Sequence, residues 1–173
     1  HPAQDTAPVW SPDGRSIVFA SNRAGPTDLY RKDVTSNAPE EVLLADQDNK
    51  TPFAWSPDGR FLLFTKPVPK AGIDIWMLPM SPRGPATALV ATPFLDTQPQ
   101  FSPNGRWVAY TSAESGRFEV YVIPFPPASG KQQVSLTSGA WPHWGPDGDE
   151  LFFRVVQTNE LMAADVRTSG NTF

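Results

Sequence analysis

"WSPDGR" occupies residues 10–15 and recurs letter for letter at residues 55–60. "FSPNGR" follows at 101–106, and an altered copy, "WGPDGD", at 144–149. The leading aromatics Trp10, Trp55, Phe101 and Trp144 stand 45, 46 and 43 residues apart. A catalytic motif is normally needed once, so a phrase written four times points to architecture. Self-similarity at this period is the spacing of a four-stranded propeller blade.

The phrase has a turn chemistry. Pro12, Pro57, Pro103 and Pro146 preset φ at the second turn position, and Asp13, Asp58, Asn104 and Asp147 suit the third. Gly14, Gly59, Gly105 and Gly148 then take a left-handed φ at no steric cost, closing a three-residue hairpin loop. All twelve are read as structural turn residues.

The flanks repeat as well. A short polar entry carrying a proline precedes each aromatic: "DTAPVW", "NKTPFAW", "DTQPQF" and "GAWPHW". An apolar strand follows each turn: "SIVFAS", "FLLFTK", "WVAYTS" and "ELFFRV". Third strands open with an acid ("DLYRKDV", "DIWMLPM", "EVYVIPF", "ELMAADV"), and fourth strands are readable as "EEVLLA", "TALVAT" and "QQVSLT". The expected fold is therefore all-β, a β-propeller of four-stranded antiparallel blades at about 5–46, 49–92, 96–138 and 140–173. The last blade is truncated where its own fourth strand would begin. Continuous apolar runs imply strands buried on both faces, with the four aromatics wedged between adjacent sheets. Four blades at this spacing make an open arc, either incomplete or part of a larger propeller that missing blades or self-association would close.

Composition sets outer limits. The chain has 173 residues, 39% hydrophobic, with eleven Phe, six Trp and three Tyr, enough to bury a core. Twenty Pro at spaced positions leave little room for long helices. A net charge of −4 without a basic run disfavours nucleic acid as a partner. Without cysteine there is neither a disulfide framework nor a thiolate metal site. No apolar run approaches the roughly 20 residues of a membrane-spanning helix. Because the chain begins at His1, it reads as a processed product or a piece of something longer.

With the aromatic-Ser-Pro-Asp-Gly hairpin, the apolar strand and "SNRAGPTDLY" in view, the chain resembles the TolB-type propeller repeat family along essentially its whole length. The resemblance implies a WD-like propeller scaffold found in a periplasmic envelope protein and in the non-catalytic propellers of prolyl-oligopeptidase-like enzymes. It also occurs in sensor regions of bacterial membrane serine/threonine kinases. "DIWMLPM", "VYVIPFP" and "WPHWGPDGDELFF" are most similar to the kinase-associated version. The second repeat departs from the family, with "TKPVPKAG" where "ASNRAG" stands in the first, which reads as a longer, proline-stiffened loop.

Asp28, Asp74, Glu119 and Glu160 hold one position in successive repeats. They could form a ring that binds a cation or a basic partner, but repetition in register favours a role in orienting loops. "DQDNK" at 46–50 and "DGDE" at 147–150 lack the ligand spacing of an EF-hand loop. His143, the only internal histidine, has no companions for zinc and reads as channel-facing or hydrogen-bonded. No metal, no cofactor and no nucleophile elbow or catalytic set is expected.

Signature hairpins emerge on one face of a propeller, and the variable loops with the interblade entries on the other. Variable loops on a rigid scaffold are the usual place for recognition, which selects Arg23, Lys66, Lys70, Asp96, Arg117, Trp141 and His143 as candidate partner-binding residues. The function expected is a non-catalytic, extracytoplasmic or periplasmic module that binds a protein or peptide. The alternatives are an accessory propeller of a peptidase or kinase, and a structural subunit of a larger assembly.

Overall fold

The structure is a computed structural model that describes residues 2–69 and 72–167. Fifteen strands and no helix are found among the described residues. The first sheet runs β1 (Asp5–Trp10), β2 (Ser16–Ser21), β3 (Asp28–Asp33) and β4 (Glu41–Leu44). The second is β5 (Thr51–Trp55), β6 (Phe61–Val68), β7 (Gly72–Pro79) and β8 (Thr87–Val90). The third is β9 (Asp96–Phe101), β10 (Trp107–Ser112), β11 (Glu119–Pro124) and β12 (Gln132–Gln133). β13 (Ala140–Trp144), β14 (Glu150–Arg154) and β15 (Leu161–Asp165) form the fourth. Each sheet is an antiparallel meander in chain order. Residues 168–173, where the truncated blade would begin another strand, lie outside the described residues.

The sheets stack on one another in sequence. Val18 and Leu29 of the first sheet pack with Leu62, Phe64 and Leu78 of the second. Ala54 and Leu63 of the second meet Phe101 and Val108 of the third. Trp107, Val120 and Val122 meet Trp144, Leu151 and Phe153 of the fourth. The first strands line up along the inside, β1 against β5, β5 against β9 and β9 against β13. The fan stays open: no described hydrophobic cluster joins the fourth sheet to the first.

That openness corrects one expectation. Each wedge aromatic covers the sheet before its own, as Trp55, Phe101 and Trp144 do. Trp10 has no preceding sheet among the described residues and is 59% exposed. At the other end Leu161 is 73% exposed.

Two local readings also change. The longer segment of the second repeat extends the hairpin rather than the loop: β6 and β7 are eight residues each and stay paired to Val68↔Gly72. In the third sheet "QQVSLT" contributes only two strand residues. The Ser135 hydroxyl accepts the Val120 N–H at 2.7 Å, displacing the backbone carbonyl that would continue the ladder.

Candidate functional site

The signature turns are built alike. In the first, the Gly14 N–H donates to the Ser11 carbonyl at 2.9 Å with Gly14 at φ +67°. The Ser11 hydroxyl donates to Asp13 at 2.6 Å and accepts the Ser16 N–H at 2.9 Å. Asp13 also accepts the Arg15 N–H at 3.0 Å. Ser56 with Asp58, and Ser102 with Asn104, repeat this geometry. The serine hydroxyl and the backbone N–H hold Asp13 and Asp58 below the usual carboxylate range. The fourth turn has Gly145 instead and keeps the backbone bonds, Gly148 N–H to Gly145 carbonyl at 3.0 Å and Gly145 N–H to Glu150 carbonyl at 2.9 Å. The serine as the centre of the turn was missed in the sequence, although its threefold recurrence was the available signal.

On the opposite face, most of the candidate residues are engaged within the protein. Arg23 reaches Asp5 at 3.1 Å and Ser21 at 2.8 Å, its guanidinium 4.4 Å from the Tyr30 ring centroid. Lys66 pairs with Asp48 at 3.0 Å and lies over Trp76. Arg117 pairs with Glu119 at 2.6 Å and donates to the Leu136 carbonyl. Asp96 is fully buried. Trp141 is exposed at φ +55°, with the Arg154 guanidinium 3.8 Å from its ring centroid. Lys70 lies outside the described residues.

The first-strand bulges are a feature that sequence reading did not reach. Ala7, Gln98 and Trp141, each before a proline, adopt φ of 50–57° where two residues oppose one on the second strand. Proline fits there because a bulge leaves its missing N–H without a ladder partner to disappoint. Pro52 sits one position earlier in its repeat, and its sheet uses a one-residue bulge at Phe53 instead. Gln98 ties two sheets together, accepting from Thr111 Oγ1 at 2.8 Å and from the Trp141 N–H at 2.9 Å.

The repeated acids have unequal surroundings. Asp28 pairs with the fully buried Lys50 at 3.0 Å. Glu119, also fully buried, is held by Arg117 and the Ser135 hydroxyl. Asp74 and Asp96 have pKa values raised above the carboxylate range, each chiefly by burial, and Asp96 adds its charge to the effect on Asp74. Glu160 is exposed and bonded to Thr158. No group of three or more His, Asp or Glu is placed to hold a metal ion among the described residues.

The inner wall supplies a recess of its own, apart from the ion-paired residues. A cleft of about 280 Å³ is lined by Val9, Phe53, Trp55, Gln100, Phe101, His143 and Trp144, with prolines of three signature turns at its rim. All four first strands contribute. Aromatic and aliphatic side chains line the wall beside the polar Gln100, Ser102 and His143, and no carboxylate or cationic side chain lines it. Such a surface can hold an apolar or aromatic segment and orient it through two hydrogen-bonding side chains.

Comparison with known proteins gives a consistent picture. Residues 1–123 match the TolB beta propeller domain family. The uncharacterized protein Atu1656 of Agrobacterium fabrum is 25% identical over 145 residues, covering 83% of this chain and 33% of its own length. The chain thus spans about a third of that curated relative. TolB from Acinetobacter baumannii superposes with a TM-score of 0.76 at 21% identity, over 98% of this chain and 45% of that one. The putative TolB from Agrobacterium tumefaciens gives 0.68 at 19% identity, over 88% and 70%.

Proposed function

Because the chain belongs to the TolB β-propeller family, we propose that it is a non-catalytic, extracytoplasmic propeller module that binds a protein or peptide segment along its inner wall. The observation that carries this reading is the cleft shared by four first strands, in which aromatic side chains alternate with the polar Gln100, Ser102 and His143. A rigid wall with few polar groups favours recognition of an extended apolar segment, because little is lost in ordering the receptor. The charged residues of the opposite face support the same location, since Arg23, Lys66 and Arg117 are already neutralised within the chain. The non-catalytic reading draws on the cleft's chemistry: its one histidine stands on a wall without a carboxylate to orient or activate it. The extracytoplasmic assignment draws on the family resemblance.

The test is selection of a displayed peptide library on the immobilised chain. Apolar, aromatic-containing ligands are expected, with binding weakened at least about tenfold by His143→Glu or Gln100→Glu at unchanged melting temperature. Ligands indifferent to both substitutions would overturn the inner-wall assignment. Turnover of a selected peptide by the purified chain would overturn the non-catalytic one.

A further inference from the structure

Three gaps separate the four sheets, and equivalent positions face each of them. The main-chain N–H groups of Val34, Met80, Phe125 and Val166 bond back to the last residue of their own signature phrase, Arg15, Arg60, Arg106 and Asp149. Arg31, Met77 and Val122 pair with Val18, Leu63 and Ala109. Ser16, Phe61 and Trp107 open the second strands. Apolar side chains from these positions fill the second and third gaps. Phe125 meets Phe61 and Phe101 edge to face, at ring-centroid distances of 5.3 and 5.0 Å, with Met77 in the same cluster. Trp107, Val122 and Val166 pack together in the third gap.

The first gap is built from Ser16, Arg31 and Met80 instead. Two of the three filling positions are polar, and a cleft of about 580 Å³ opens between the first two signature turns. Beside Phe125 the corresponding recess is about 340 Å³. Arg31 lines the larger cleft, and its Nε and Nη2 both donate to the Ser16 hydroxyl, at 3.1 and 2.9 Å. Its guanidinium enters no ion pair among the described residues, which leaves a half-buried cation in need of an acceptor. Asp13 and Asp58 stand on the same cleft. The Ser11 and Ser56 hydroxyls, helped by main-chain N–H groups, hold both carboxyls below their usual range, so both are ionised at neutral pH. Those bonds all fall on Oδ1, and the turns leave Oδ2 of each unused. Trp55, its Nε1 held by the Gly59 carbonyl at 3.0 Å, and Met80 supply the apolar wall.

We propose that this cleft binds a small zwitterion of the amino-acid class, with its carboxylate on the Arg31 guanidinium, its ammonium at Asp13 and Asp58, and its side chain against Trp55 and Met80. The planar fork of a guanidinium matches the two oxygens of a carboxylate. The two acids repel a simple anion, so the ligand brings a cation of its own. A free amino acid or a dipeptide carries both groups and fits the volume. This cleft shares only Trp55 and Pro57 with the inner-wall recess, so either site can exist without the other.

Calorimetric titration of the chain with free L-amino acids, and with dipeptides of the same residues, tests it. Saturable one-to-one binding is expected, strongest for apolar and aromatic side chains. The amide of the best ligand lacks the carboxylate and its N-acetyl derivative lacks the ammonium, and each is expected to bind at least about tenfold more weakly. Arg31→Met, which repeats the side chain found at the second gap, is expected to melt no lower than the wild type and to hold the acid no better than the amide. Dipeptides that bind more tightly than free amino acids would support the site and assign it to peptide ends. Absence of saturable binding by every amino acid and dipeptide at millimolar concentration would overturn the proposal. So would wild type that binds the amide as tightly as the acid, whatever the variant does.

Discussion

The first and second inter-sheet junctions share a backbone plan and differ in charge. At the first, Asp28 faces Lys50, which is fully buried and held by two acids and the Asp48 carbonyl. At the second, Asp74 faces Asp96, and each keeps an unpartnered oxygen. The repeat thus fixes where a polar group is buried but not its sign. One junction is closed by an ammonium of its own chain, and the other sets two buried carboxyl groups side by side. The third takes another route, with Arg117 neutralising Glu119 from within the same sheet.

The largest effect is expected at the closed junction. Lys50→Met leaves Asp28 and Asp46 without their ammonium and is expected to cost about 3–5 kcal/mol in urea unfolding. A loss under about 1 kcal/mol would break the comparison, since Lys50 would then be incidental to the junction.

Gly59→Val tests the scaffold that both junctions share. The second signature turn holds Gly59 at φ +73°, so a β-branched residue is expected to cost about 1–3 kcal/mol by thermal melting.

Asp96→Asn sharpens the contrast, with a pH dependence whose sign follows from burial. Asp74 and Asp96 have folded pKa values above the ordinary 3.8. Their effect on stability is absent below that value and unfavourable once the pH has risen through the raised one. At pH 7 the variant is expected to be more stable than wild type by about 1 kcal/mol, the scale of relieving one unsatisfied buried group. The gain is expected to vanish as the pH falls below 3.8. An equal gain at both ends of the range would show that the buried charge is not its cause.

The smallest effect is expected at a position where the acid merely accepts. Asp58→Asn should change stability by no more than about 0.5 kcal/mol at pH 7. Asn104 already fills the same role in the third turn, accepting from Ser102 and the Arg106 N–H.

The fold was legible because its determinants are local. Turn chemistry and the apolar strands lie within stretches of six to eight letters, their recurrence about every 45 residues marks the blades, and the structure places sheets where they point. Trp10 was misread because wedging depends on the sheet before it, which no property of "VW" encodes. The bulges at Ala7, Gln98 and Trp141 escaped because non-glycine residues seldom take positive φ, so only the proline that follows hints at them. The engagement of the candidate side chains within the chain was not legible in the sequence. Whether Arg23 or Lys66 is free depends on Asp5 and Asp48, each 18 residues away in sequence. Asp96 looked like a loop acid and is the most enclosed carboxylate of its junction, because its neighbour Asp74 comes from another sheet.

Double-mutant cycles on the two junctions test the central claim most directly, combining Asp28→Asn with Lys50→Met and Asp74→Asn with Asp96→Asn, at pH 7. The account expects coupling energies of opposite sign, favourable for the first pair and repulsive for the second, each on the order of 1–3 kcal/mol. Two favourable couplings, or a second coupling indistinguishable from zero, would contradict it.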